Sequence, residues 1–173
     1  MSRTEVAHEL AEHLAVLSTP NLVFVASGCF AEPDADMPEL AAEIGAVIER
    51  LMDDHWKDHV WPRPRPGEYS GIRHAVRIAG SLEPLDDRAA AVESMAELAA
   101  VDLVWSPAEI MDRDVARDAA ARVVTLLGPD ATWWTNRVAD DGSVNGVTPC
   151  TFDGLIAGTD GTHFAILIQV GED

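Results

Sequence analysis

FDGLIAGT at 152–159, followed by Asp160-Gly161 and THFAILIQV at 162–170, decides the fold. Two apolar runs flank a two-residue Asp-Gly pair, the signal of a β-hairpin with a type I′ turn. In the second run Phe164, Ile166 and Ile168 point to one face, and Ala165 and Leu167 to the other. A strand apolar on both faces must lie at the centre of a sheet or beneath helices, because either side left in water would cost its burial energy. The last strand is therefore expected either to be central in a sheet or to be covered by helices.

Working outward, TWWTNRV at 132–138 reads as a further strand, rich in Trp and Thr. Strand alternation puts Trp133 and Trp134 on opposite faces, one in the core and the other either an exposed anchor or covered by a helix or loop. Asp140-Asp141-Gly142 and Asn145-Gly146 mark turns, and 21–27 reads as a short buried strand. Four helices precede or separate these strands. The first, over 4–18, carries Val6, Leu10, Leu14 and Leu17, and Ser2 with Glu5 forms a capping box. The second, over 37–59, has Pro38 in its first turn between Asp36 and Glu39, and a stripe of Leu40, Ile44, Val47, Ile48, Leu51, Met52 and His55. A third is expected over 86–100. For the fourth, Ser106-Pro107-Ala108-Glu109 reads as a capping box with Pro at the first helical position, Trp105 stapled on Ile110, and a stop at Gly128-Pro129. The order α-β-α-α-α-β-β-β predicts one α+β domain over 1–173, with about four helices packed on a mostly antiparallel sheet that ends in the hairpin. Pro62, Pro64, Pro66 and Gly67 interrupt it with an irregular Pro/Arg-rich excursion at about 61–71.

Charge narrows the function classes. The chain has 30 acidic and 12 basic residues, net −18, with Lys57 its one lysine. Such a surface lacks the cations that replace counterions along a phosphate backbone, so direct nucleic-acid binding is not expected. It suits a basic partner or a salt-adapted host. The distribution is uneven: residues 61–80 hold four bases and one acid, a basic island in an acidic chain. The apolar runs are too short to span a bilayer, and residues 1–14 lack the apolar core of a signal peptide, so a cytoplasmic protein is expected. Cys29 and Cys150 form no CxxC and are expected as unpaired core thiols.

No nucleotide-binding or nucleophile motif is present. His8 and His13, five apart, point in different directions on a helix and cannot share a metal. His55 and His59 share a helix face, but no second motif supplies further ligands, and no cofactor is expected. The acidic run Glu32–Asp36 lacks the glycine of a calcium loop and reads as helix-capping. Arg73 and Arg77 share a face if 71–80 is helical, either clamping an anion or pairing with the domain's own acids. Three functional expectations follow. The first is a non-catalytic, acidic, cytosolic binding protein (inhibitor, immunity-type or regulatory) that acts on a basic protein surface. Its partner-binding residues would be Trp56, Trp61, Arg63, Arg65, Tyr69, Arg73, Arg77 and Trp134. The second is a small enzyme or a ligand- or metal-binding domain with a pocket around His55, His59, Arg73, His74 and Arg77. A nucleic-acid mimic is the weaker third, and homodimerisation is left open.

Overall fold

A computed structural model describes residues 1–55, 71–138 and 142–172; the His55 side chain is outside that description. The described residues form five helices and five strands: α1 (Arg3–Leu17), β1 (Val23–Cys29), α2 (Met37–His55), α3 (Ile72–Gly80), β2 (Glu83–Pro84), α4 (Arg88–Ala100), α5 (Arg113–Leu127), β3 (Thr132–Thr135), β4 (Phe152–Thr159) and β5 (His163–Gly171). The sheet runs β1-β5-β4-β3-β2 and every neighbouring pair is antiparallel. This is the expected α+β fold, closed by the C-terminal hairpin. The Pro/Arg-rich excursion falls outside the described residues except for Gly71, and no described helix is long and apolar enough to cross a membrane.

β5 is central because it is covered on both sides. Ala165 and Leu167, with Ile156 of β4 and Trp133 of β3, pack beneath α1, α4 and α5. Phe164, Ile166, Ile168 and Val170, with Leu155 and Ala157, join Leu40, Ile44, Ile48 and Leu51 of α2 and Ile78 of α3. Burying one such side chain contributes roughly 1.5–3 kcal/mol, so two apolar faces on one strand strongly favour a middle position over an edge. The helix stripes that form these layers follow from 3.6-residue spacing.

Local signals set most helix ends. Ser2 and Glu5 make the reciprocal capping box of α1, with Glu5 N–H donating to Ser2 Oγ and Ser2 N–H to the Glu5 carboxylate. These hydrogen bonds hold the Glu5 carboxyl below its ordinary pKa. Asp36 and Glu39 bracket the start of α2, and Asp87 caps α4 through Ala90 N–H. Gly128, at φ 88°, ends α5, a conformation in which a side chain would be strained.

Four expectations are corrected. The fourth sequence-derived helix starts at Arg113, not at Ser106. Asp112 caps it by accepting the N–H groups of Asp114 and Val115, while 105–108 is a turn closed by Ala108 N–H donating to Trp105 C=O. The hairpin turn sits one residue later than expected. Thr159 lies opposite Phe164, and Asp160 N–H donates to His163 C=O, leaving Gly161-Thr162 as the central pair. Gly161 has φ 83° whereas Asp160 has no positive φ, so the type I′ requirement of positive φ at both central residues is unmet, and His163 N–H donates to Asp160 Oδ1. The strand expected over 132–138 ends at Thr135; beyond it, among the described residues, Arg137 pairs with Val144 in an isolated bridge. Cys29, at the end of edge strand β1, is exposed, while Cys150 is partly buried; both are free.

Candidate functional site

The fold places an exposed tryptophan on a loop whose backbone is tightly held. Between α4 and α5 the chain turns at Asp102, whose Oδ1 accepts Val104 N–H at 2.8 Å and Trp105 N–H at 3.0 Å. Asp102 N–H donates to Ala108 C=O, and Ile110 N–H to Ala100 C=O. Beneath the loop, Gln169 of β5 is fully buried. Its Nε2 donates to Leu98 C=O and Val101 C=O, at 2.5 and 2.8 Å, and its Oε1 accepts Leu103 N–H at 2.7 Å. One glutamine thus satisfies two carbonyls at the end of α4, which otherwise lack intrahelical partners, and an amide of the loop.

Two glycines let this loop sit directly on the sheet. A Cβ at Gly154 would overlap the Leu98 side chain and crowd Leu103, and one at Gly171 would overlap Val104. The sheet therefore presents bare backbone where the loop lands.

Trp105 remains 70% exposed on this support. Asp102, Glu109 and Asp112 lie along the same loop, and Glu97 lines a cavity with Asp102 and Ser106. Arg113 bridges Glu97 and Glu109 at 2.9 Å each, which offsets part of this negative charge. Trp105 thus projects from a hydrogen-bonded loop that carries Asp102, Glu109 and Asp112, and Arg137 joins Glu97, Asp102 and Ser106 in lining the neighbouring cavity. An indole face attracts Lys and Arg side chains, and carboxylates at its rim complement them. Sequence reading assigned Trp105 to an internal staple. The signal that would have found it is Asp102, whose side chain competes for backbone amides two and three residues on, together with the stronger cap at Asp112.

The expected site residues are dispersed. Trp56, His59, Trp61, Arg63, Arg65 and Tyr69 lie outside the described residues, and His55 ends α2. Arg73 and Arg77 are exposed on α3, the helical case considered above, and His74 between them is half-buried. Among the described residues neither arginine has an ion-pair partner. Beside them, Pro38, Glu39 and Ala42 of α2 and Ile72, Ala75, Val76 and Ala79 of α3 line an open groove of about 580 Å³. Trp134 is partly buried against the core shared with α2 and α3.

Buried Asp153, Asn136 and His163 have structural partners, whereas Trp133 Nε1 and Arg137 Nε have no hydrogen-bond partner among the described residues. Asp153 accepts from Asn136 Nδ2 at 2.7 Å, from the N–H groups of Val147 and Thr148, and from Thr148 Oγ1. Asn136 Oδ1 in turn accepts Leu155 N–H. His163 is 5% exposed; its Nδ1 lies 3.0 Å from Asp160 Oδ2 and its Nε2 3.2 Å from Arg3 C=O. Both ring nitrogens face protein acceptors, so this Asp–His pair ties α1 to the hairpin and presents no nitrogen to a substrate. No three His, Cys, Asp or Glu side chains among the described residues cluster to hold a metal ion. No protein-family model matches the chain, and no curated protein or solved structure is found similar to it.

Proposed function

We propose that the protein is a non-catalytic binding module that acts on a basic protein surface through the loop carrying Trp105. The observation that carries this reading is an indole 70% exposed on a backbone held by buried Gln169, amid carboxylates on a chain of net charge −18. An exposed large aromatic costs solvation in the free protein, and prior ordering of its loop lowers the entropy lost on binding. The wider acidic surface speeds encounter with a cationic partner, and the indole then supplies the close contact.

The test is affinity capture on immobilised protein from a host lysate at low salt, with wild type and Trp105→Ala side by side, followed by titration of the purified captured protein. A basic protein that binds wild type at least about 30-fold more tightly than the variant, and releases steeply as salt rises, agrees with the proposal. Binding that is indifferent to both the substitution and salt refutes it.

A further inference from the structure

We infer that the exposed face of α3 is a self-association surface, and that its occupant is a second copy of this chain. Ile72 is 83% exposed and Val76 69%, and their i,i+4 spacing aligns them in one apolar stripe. Arg73 and Arg77 form the adjoining stripe on the side away from the groove, while Glu39 of α2 lines the groove's opposite side. The surface therefore reads acid, apolar, base across its width.

That order is self-complementary. A two-fold axis running along the stripe brings the α3 helices together in parallel, sets Ile72 and Val76 against their own copies, and places Glu39 of each chain opposite Arg73 and Arg77 of the other. Charge supports the choice of partner. Two chains of net charge −18 repel at long range and can meet only where the surface is least negative. Among the five described helices α3 alone carries no acidic residue. The two exposed side chains and small neighbouring alanines make a modest interface, so association is expected on the order of micromolar or weaker.

The signature is its salt dependence, which is opposite to that of the proposed complex with a basic partner. Raising salt from about 0.05 M to about 0.5 M shortens the screening length to a few ångströms and suppresses the long-range repulsion more than it weakens four local ion pairs. Sedimentation equilibrium of the full chain should show mass rising toward twice 18.6 kDa as salt and concentration rise. Ile72→Glu/Val76→Glu should remain monomeric under the same conditions. Arg73→Glu/Arg77→Glu should associate at least about 10-fold more weakly, and adding Glu39→Arg to that pair should restore association by reversing both edges. Far-UV circular dichroism confirms that each variant is folded. A wild type that stays monomeric at high salt, as it would if another part of the chain covered the stripe, overturns the inference. So does a dimer unaffected by Ile72→Glu/Val76→Glu. Neither result bears on Trp105, so the two proposals fail independently.

Discussion

Replacing Gln169 with leucine tests whether the loop carrying Trp105 is held from below. Leucine keeps a comparable volume in a fully buried position but removes all three hydrogen bonds to Leu98, Val101 and Leu103. Each such bond contributes about 1 kcal/mol net, and a buried partner left unsatisfied costs about 1–3 kcal/mol. The apolar replacement offsets part of that loss, which leaves an expected destabilisation of about 3–4 kcal/mol. In a domain of this size that corresponds to a fall in Tm of roughly 6–16 °C. Gln169→Glu should be worse than Gln169→Leu, because its carboxylate sets acceptors against the two carbonyls that Nε2 now satisfies. Urea unfolding followed by far-UV circular dichroism measures both, with the slope of the transition checked for constancy. A Gln169→Leu protein within about 1 kcal/mol of wild type, or a glutamate variant more stable than the leucine one, would falsify the reasoning.

The hairpin turn and the two thiols each supply a further expectation. Burial raises the Asp160 pKa, but hydrogen bonds from His163 N–H, the His163 ring and Thr162 N–H outweigh it, so the carboxyl ends below its ordinary value. Its stabilisation is then complete above the unfolded carboxyl value of about 3.9 and fades as pH falls through the folded value. Between about pH 5 and pH 3 the wild-type urea midpoint should fall more steeply than that of Asp160→Asn; equal slopes would rule this out. Cys29 is exposed, whereas burial pushes the Cys150 thiol up to about 11. At about pH 8 an excess of thiol reagent should label Cys29 at least about 100-fold faster, with the fast phase lost in Cys29→Ser; a fast phase that survives contradicts the assignment.

The fold was legible where the deciding interactions are local or strongly periodic. The α1 capping box links residues three apart, and the two-faced apolar run in β5 demands cover whatever its neighbours are. The start of α5 was misread because Ser106 and Asp112 both offer caps. The choice depends on Ala100 pairing with Ile110, and on Gln169, far along the chain, taking Leu103 N–H. The same long-range contacts place Trp105 outside, so its exposure could not be read from spacing alone. The basic stripe of α3 was legible as Arg73 and Arg77. The apolar stripe beside it was not, since periodicity alone assigns Ile72 and Val76 to a core. Asp160-Gly161 announced the hairpin, but Asp160 Oδ1 captures the N–H groups of Thr162 and His163 and moves the turn along by one.

The strand order also dictates when the molecule can become whole. β5 joins β1 to the rest of the sheet, and Val23 lies opposite Gln169, so nearly the entire chain separates the two partners. During synthesis α1 and β1 leave the ribosome long before the strand that completes their pairing, and β4 waits for the same neighbour. Contacts of such separation slow folding, and unpaired apolar strands are exposed in the interval. A net charge of −18 sets neighbouring polypeptides in mutual repulsion during that interval.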